Sequence, residues 1–240
     1  MKKLGLEKTK KINDISLLEK MKLLIFHDGD TRPVWVGGGY AETDTGHKNY
    51  AKWANEHWAL YYSFINDVDD FDNKVVLDLG CGSGFCTRNL KEIFSNSTII
   101  GMDIDTESIS FCEEHNGGEG ITYSTTNIIT EDITKGIDYI FFVETMEHIK
   151  HQYHNDLIDK LLSSLNKDGK LFISTPNEQT FINAERGHIG ILTRHHFNEF
   201  KERYEKNMSG VDYLDNTRLL NGDYITNNDK DSHFKIVLTQ

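Results

Sequence analysis

Short apolar runs alternate with helical patterns along most of the chain, and one stretch combines both. The run Val75–Leu79 is apolar except for Asp78 and leads directly into glycines at every second position of Gly80–Gly84. A short apolar run bounded by turn residues is typical of a strand buried on both faces, as in the centre of a parallel sheet. Residues 85–94 then carry apolar side chains at helical spacing. This stretch predicts a strand, a glycine turn and a helix, which form half of a nucleotide-binding crevice.

Six further runs of apolar or alternating residues predict strands. They are Thr98–Asp103, Ile121–Thr126, Tyr139–Val143, Lys170–Ser174, Val211–Leu214 and His233–Leu238. Helical patterns over residues 106–115, over residues 157–165 and from Thr193 onward lie between them. The alternation of strand and helix predicts an α/β fold with a doubly wound, mostly parallel, seven-stranded sheet.

The first 66 residues predict a helical extension and a flap ahead of the main domain at 67–240. Residues 1–26 have the pattern of a short amphipathic helix. Residues 27–46 are rich in glycine and are either a connecting loop or a mobile flap over the site. Residues 47–66 place aromatic side chains at helical spacing, which is more often core than a ligand site, and His57 is expected to pack among them.

Charge and cysteine content narrow the classes of partner. The chain has 26 basic and 38 acidic residues, a formal net charge of −12, and no basic stripe outside its lysine-rich start. A nucleic-acid partner is therefore not expected, because phosphate neutralisation requires such a stripe. Three cysteines without a C-x-x-C pair suit a reducing compartment, and no apolar run is long enough for a membrane span. We expect a cytoplasmic protein with a small-molecule partner, and the oligomeric state stays open.

The glycine spacing indicates which nucleotide would bind. A dinucleotide fingerprint reads G-x-G-x-x-G, whereas this chain reads Gly80-x-Gly82-x-Gly84 with Asp78 two residues earlier. A carboxylate at that position would repel a pyrophosphate but would suit the cationic amino-acid end of a sulfonium cofactor. The stretch Asp78–Gly84 resembles the first motif of class I S-adenosylmethionine-dependent methyltransferases. The resemblance implies a Rossmann-like methyltransferase domain whose cofactor lies against Asp78, Gly80, Cys81, Gly82 and Gly84.

Two later strand ends supply candidate contacts to the rest of the cofactor. Asp103 ends the second strand about 20 residues after the glycines, where a carboxylate in such a crevice meets ribose hydroxyls. Its alternative role, capping the next helix, can be filled by Asp105. Ile104 would offer an apolar surface to adenine. In the resembled family an acidic residue after the third strand often binds the adenine amino group; here Asn127 stands there, and the backbone of Ile128 could serve instead.

A second polar cluster follows the fourth strand, in Glu144-Thr145-Met146-Glu147-His148. On one helical turn Glu144, Glu147 and His148 would project to the same side, toward the expected position of the methyl group. This turn resembles ubiquinone-pathway O-methyltransferases, sugar methyltransferases and small-RNA 3′-terminal 2′-O-methyltransferases. In the metal-using members, E-x-x-E-H and one later histidine, here His188, hold Mg²⁺. Glu144 is also a candidate cofactor contact.

The chemistry at this cluster stays open between two schemes. His148 and His188 could accept the proton of a substrate hydroxyl, or a bound Mg²⁺ could activate that hydroxyl. The function predicted first is O-methylation of a small polar or sugar-type acceptor. RNA 3′-end 2′-O-methylation and non-catalytic binding of S-adenosylmethionine are the alternatives. Contacts to the acceptor are expected from residues 27–66 and 178–232.

Overall fold

The computed structural model describes residues 35–36, 39–40, 44–176, 188–214 and 233–240. The helix predicted for residues 1–26 therefore lies outside the described residues, and so do residues 27–34, 178–187 and 215–232 of the segments predicted to contact the acceptor. Of the predicted flap, the described parts are a pair of short antiparallel strands, β1 (Trp35–Val36) and β2 (Gly39–Tyr40), and the start of a helix at Asp44.

The described elements alternate between strand and helix, as predicted. The longer strands are β3 (Val75–Leu79), β4 (Thr98–Asp103), β5 (Ile121–Thr125), β6 (Ile137–Val143), β7 (Leu165–Pro176), β8 (Met208–Leu214) and β9 (His233–Thr239). The α-helices are α1 (Asp44–Ile65), α2 (Phe85–Ile93), α3 (Thr106–Phe111), α4 (His154–Ser164) and α5 (Arg194–Tyr204). A π-helical turn, Cys112–Asn116, follows α3, and 3-10 turns occur at Met146–His148 and His151–Tyr153.

Seven strands form one sheet in the order β5-β4-β3-β6-β7-β9-β8. The pairs among β3, β4, β5, β6 and β7 are parallel, whereas β9 runs antiparallel to both β7 and β8. The strand order reverses between β4 and β6, which both pair with β3. In open α/β sheets the crevice outside the carboxyl ends of the strands at such a reversal is the usual ligand site. The predicted mostly parallel, seven-stranded sheet is confirmed.

Successive side chains of a strand point to opposite faces of the sheet, and both faces are buried here. Val76, Phe141 and Phe172 pack with Trp58 and Phe64 of α1 and with α2. On the other face, a second cluster joins the sheet to α4 and α5. That cluster includes Leu77, Ile140, Phe142, Ile158, Leu171, Phe197 and Ile236. The aromatic pattern of residues 47–66 is thus a core helix where its side chains are described, and the boundary predicted at residue 66 stays a prediction.

Two elements differ in extent from the sequence expectation. The strand predicted at Lys170–Ser174 runs from Leu165 to Pro176, with an irregularity between Ile137 and Tyr139 of its partner. The helix predicted over 106–115 is α-helical only to Phe111 and then widens into the π-helical turn. Across the described residues, no helix combines the length and apolar character needed to cross a bilayer. All three cysteines are buried free thiols.

Candidate active site

The glycines of the turn after β3 meet different surroundings. Gly80 has φ +78°, and a Cβ there would overlap the side chain of Thr145. Gly84 has φ +76°, and its Cβ would lie 2.8 Å from the Cys112 sulfur and 2.9 Å from the Tyr123 hydroxyl. Gly82 has φ +51° and nothing within 4 Å of the corresponding point. The first and third glycines are therefore required by neighbouring side chains, whereas the second leaves open space where a ligand can approach the backbone.

Asp103 lies beside that open turn. Its Oδ2 accepts a hydrogen bond from the Gly82 amide at 2.8 Å, and its Oδ1 accepts one from Asp105 N at 3.0 Å. Asp105 caps α3 through Ser108 N, so the helix-capping role does not fall to Asp103. Each carboxylate oxygen keeps a further acceptor site. Ile104, next in the chain, is 66% exposed and offers an apolar surface at the same edge.

A tight turn after β5 adjoins the carboxyl end of β4. The Thr126 amide donates to the Asp103 carbonyl at 2.7 Å, which connects the turn to the end of β4. The side-chain Oδ1 of Asn127 accepts a hydrogen bond from Ile129 N at 3.1 Å, and the backbone amide of Asn127 donates one to Glu131 Oε1 at 2.7 Å. The turn thus places the half-buried Asn127 beside Asp103 in the crevice region.

Asp78 lies beneath the turn rather than on its open side. It is 0% exposed, and its two carboxylate oxygens accept hydrogen bonds from the hydroxyls of Tyr61 and Thr87. Burial raises the pKa of Asp78 to about 6, although the two hydroxyl hydrogen bonds act to lower it. In this position the carboxylate links α1, β3 and α2. Direct contact of Asp78 with a cofactor amino group stays a prediction.

Cys81 is also turned inward. Its amide donates to the Met102 carbonyl at 3.0 Å, and its buried thiol lies beside Cys112, whose Sγ donates to the Gly82 carbonyl at 3.1 Å. The contact with Cys112, together with burial, raises the pKa of the Cys81 thiol. The two sulfurs therefore support the turn from its protein side.

The predicted helical turn at Glu144–His148 is wrong. Glu144 has φ +51° and Thr145 is not helical, so only Met146–His148 forms a short 3-10 turn. The left-handed residue rotates the Glu144 side chain away from the direction that helical spacing requires. Glu144 Oε2 lies 3.0 Å from His233 Nε2, and its Oε1 accepts from the Ser174 hydroxyl at 3.1 Å.

Glu147, His148 and His188 do come together. One ligating atom from each lies within 4.8 Å of the others. His148 Nε2 is 3.9 Å from Glu147 Oε1, and the rings of His148 and His188 meet edge to face at 4.9 Å. The amide of Gly190 donates to the Glu147 carbonyl at 2.8 Å and brings the segment of His188 to the turn. Glu147 is 1% exposed whereas the His148 side chain is 47% exposed, so the imidazole faces the crevice above a buried carboxyl group.

The two glutamates have opposite electrostatic environments. Burial raises the pKa of Glu147, and the nearby charge of Glu144 raises it further. Burial also acts to raise the pKa of Glu144, but His233, through charge and hydrogen bonding, and His57 outweigh it and lower the pKa overall. The surroundings therefore favour the ionised form of Glu144 and the neutral form of Glu147.

Sequence reasoning missed His233 and Ser174 as partners of Glu144, and it treated His57 as packing alone. His233 begins β9 and reaches Glu144 because it pairs with Pro176 at the carboxyl end of β7. An antiparallel register between distant segments leaves no local signal. A polar residue at the start of an otherwise apolar strand, as at His233, is the one sequence feature that could have drawn attention.

Comparison with known proteins identifies the family to which the chain belongs. The methyltransferase-domain family matches residues 50–220. A malonyl-[acyl-carrier protein] O-methyltransferase of Acetivibrio thermocellus is 27% identical over 140 residues, which are 56% of this chain and 47% of that protein. A ubiquinone biosynthesis O-methyltransferase of Glaesserella parasuis is 27% identical over 127 residues, which are 49% of this chain and 52% of that protein. The chain thus spans about half the length of these curated relatives.

A solved structure supports the same fold. Coclaurine N-methyltransferase bound to N-methylheliamine and S-adenosylhomocysteine superposes with a TM-score of 0.60 at 15% identity, covering 93% of this chain and 81% of that one. At this identity the likeness concerns the fold. The family match, which covers more than half of the residues, decides the membership. The chain belongs to the methyltransferase-domain family.

Proposed function

We propose that the protein transfers a methyl group to a hydroxyl oxygen of a small polar or sugar-type acceptor. The observation that carries this proposal is the group formed by Glu147, His148 and His188 at the carboxyl end of β6. A hydroxyl loses its proton as it attacks, and a half-exposed imidazole is the side chain best suited to accept it near neutral pH. The malonyl-[acyl-carrier protein] and ubiquinone biosynthesis O-methyltransferases to which the chain is similar support this choice of acceptor atom.

The residues of the glycine turn fit the cofactor. The open space at Gly82 permits close approach to backbone, and Asp103 adjoins it with acceptor capacity for ribose hydroxyls. Ile104 and the turn of Asn127 and Ile128 would border the adenine. When bound, S-adenosylmethionine supplies an electrophilic methyl group on a sulfonium, and methyl transfer leaves the neutral thioether. The proposed cofactor contacts remain Asp78, Gly80, Cys81, Gly82, Gly84, Asp103, Ile104, Asn127, Ile128 and Glu144.

The protein's own part in the reaction is alignment and proton acceptance. Holding acceptor and methyl donor at attack distance supplies much of the rate enhancement in a direct displacement. His148 accepts the hydroxyl proton on the imidazole nitrogen that faces the crevice, and the ring of His188 beside it limits its orientation. Glu147 lies below His148, with its Oε1 3.9 Å from His148 Nε2, and burial together with the nearby charge of Glu144 raises the pKa of its carboxyl group.

The donor set does not fit the predicted Mg²⁺. Mg²⁺ prefers oxygen ligands in octahedral geometry, whereas this cluster offers one carboxyl group and two imidazoles. Glu144, the second carboxylate expected as a ligand, is engaged by His233 and Ser174 instead. The proposed mechanism therefore has no step through Mg²⁺.

The test combines binding with transfer. Calorimetric titration with S-adenosylhomocysteine measures cofactor affinity, and methyl-labelled S-adenosylmethionine is then offered with hydroxylated small molecules, sugars and RNA carrying a free 3′-terminal ribose. We expect label on a small hydroxylated acceptor, with turnover lost in His148→Ala and His188→Ala. The exposed His195→Gln is the matched control and should keep wild-type turnover.

Other outcomes would favour the alternatives. Label confined to RNA termini would replace the small acceptor with RNA, against the net charge of −12. Cofactor binding without turnover on any acceptor would indicate a non-catalytic binding protein. Label on nitrogen would contradict the proposed acceptor atom.

A further inference from the structure

One lysine connects a helix to the turn that would border the adenine. Lys160 lies within α4, and its Nζ donates to the carbonyl oxygens of Ile128 at 2.9 Å, Ile129 at 3.2 Å and Glu131 at 2.8 Å. These carbonyls lie about 30 residues earlier in the chain and belong to the turn after β5. The lysine therefore does not cap its own helix.

Hydrogen bonds within the turn determine its shape, and few other hydrogen bonds of the described residues connect it to the rest of the fold. Its internal hydrogen bonds run from Ile129 N to Asn127 Oδ1 and from Thr130 N and Glu131 N to the Asn127 carbonyl. Ile129 and Glu131 are exposed and provide little apolar anchoring. The Thr126 amide fixes the first end of the turn on Asp103. The other end is held by the three carbonyls that converge on Lys160 and, two residues beyond Glu131, by the buried Ile133.

A lysine is suited to this task. Its ammonium group carries three donors, which match three carbonyl acceptors, and hydrogen bonds from a charged donor are stronger than those between neutral groups. The Ile128 side chain packs against the cluster on the α4 side of the sheet. The polar and apolar contacts therefore hold the second half of the turn in the same direction, toward α4.

We propose that Lys160 is a positioning residue for the cofactor: by fixing the carbonyls of Ile128, Ile129 and Glu131, it holds Asn127 and the Ile128 amide where the adenine ring is bound. The inference rests on the proposed cofactor site. It implies that α4, through Lys160, contributes to the affinity for the adenosine half of the ligand.

The expected loss of cofactor affinity follows from the fraction of molecules whose turn has the binding-competent conformation. The apparent dissociation constant rises as the inverse of the fraction of molecules in the competent conformation. If the freed turn occupies that conformation about one time in ten, the dissociation constant rises roughly tenfold. A role limited to stability would lower the melting temperature and leave affinity unchanged in molecules that remain folded.

The experiment titrates S-adenosylhomocysteine calorimetrically into wild type, Lys160→Met, Lys160→Arg and Lys170→Met. Lys170 is a matched control because its Nζ also donates to a backbone carbonyl, that of Asp67 at 2.6 Å, away from the carboxyl ends of the strands. Hydrogen exchange at the Ile129 and Thr130 amides is followed in the same proteins without ligand. Thermal unfolding of each variant identifies the folded samples.

We expect roughly tenfold weaker binding in Lys160→Met, a smaller loss in Lys160→Arg, and wild-type affinity in Lys170→Met. Exchange at Ile129 and Thr130 should accelerate in Lys160→Met. Equal affinity in wild type and folded Lys160→Met would overturn the inference while leaving the cofactor site intact. If Lys160→Met does not fold, Lys160→Arg decides, since unchanged affinity and exchange there would also overturn it. Absence of binding in the wild type would instead refute the cofactor site.

Discussion

Replacement of Asp78 by asparagine distinguishes a carboxylate that supports the fold from one that touches the cofactor. The side chain is fully buried and accepts hydrogen bonds from Tyr61 and Thr87. Asparagine has nearly the same shape and can still bond to both hydroxyls, because a hydroxyl can act as donor or acceptor. It cannot ionise, however. The substitution therefore removes one titration from the folded protein with little change in packing.

The expected effect on stability follows from the pKa. Burial raises the pKa of Asp78 from 3.8 to about 6, so the folded protein holds this proton more tightly than the unfolded chain does. The contribution of this proton to stability is complete below the pKa of Asp78 in the unfolded chain and is lost as the pH rises through its pKa in the folded protein. A shift of this size corresponds to about 3 kcal/mol, since each pKa unit is about 1.4 kcal/mol. Relative to Asp78→Asn, the wild type should lose about 3 kcal/mol of unfolding free energy between about pH 4 and pH 7.

The assay is urea unfolding at a series of pH values, followed by tryptophan fluorescence, to which the buried Trp58 contributes. Only the difference between wild type and Asp78→Asn is used, so that titrations elsewhere cancel. Thr87→Val provides a second comparison: it removes a hydrogen bond that lowers the pKa of Asp78, so the loss should extend to higher pH. A difference that does not vary with pH would refute the reasoning. Loss of S-adenosylhomocysteine binding in folded Asp78→Asn would instead support the predicted direct contact between Asp78 and the cofactor.

Further expectations concern the turn, the ribose and the His148 segment. Gly80→Ala should destabilise the fold by roughly 2–4 kcal/mol in urea unfolding, because its Cβ would overlap Thr145 at a positive φ, and a wild-type midpoint would contradict this. Asp103→Ala should weaken S-adenosylhomocysteine binding about 100-fold in calorimetry, because two charge-assisted hydrogen bonds are lost; a change under threefold would contradict the ribose role. His154→Phe should lower turnover about tenfold at unchanged cofactor affinity, since His154 Nε2 lies 3.1 Å and 2.7 Å from two carbonyls that flank His148. His154→Gln should recover part of the lost turnover, and equal turnover of the Phe and Gln variants would contradict the reasoning.

The sheet could be predicted from sequence because burial on both faces leaves a simple signal. Val75–Leu79 and Tyr139–Val143 are almost entirely apolar, and each lies in the centre of the sheet. The extent of β7 could not be predicted in the same way. Asn166–Gly169, which follow its first residue Leu165, are polar and would be expected in a loop, yet they lie inside the strand as an irregularity, because Leu165 pairs with Ile137 and Lys170 pairs with Tyr139 of β6.

The glycine turn shows a different limit. The spacing of Gly80, Gly82 and Gly84 predicted a turn that brings backbone near a ligand, and all three residues have positive φ. Which glycine faces a ligand depends on Thr145, which follows β6, and on Tyr123 of β5. A local motif therefore predicts the shape of the turn, whereas the tertiary neighbours determine which of its positions remains open.

Glu144 is the position where the sequence argument failed for a physical reason. Helical spacing puts residues i, i+3 and i+4 on one side only if every intervening residue is helical. The Glu144 amide instead donates to the Ser174 carbonyl at 2.9 Å and so prolongs the pairing of β6 with β7, after which a positive φ starts the turn. Its carboxylate then meets His233, while Glu147 stays below His148. Two neighbouring buried carboxyl groups cannot both ionise readily, and His233 beside Glu144 lowers the pKa of that carboxyl group. Glu144 and Glu147, alike in sequence, therefore differ in the fold: the pKa of Glu144 is lowered, whereas burial and the charge of Glu144 raise the pKa of Glu147.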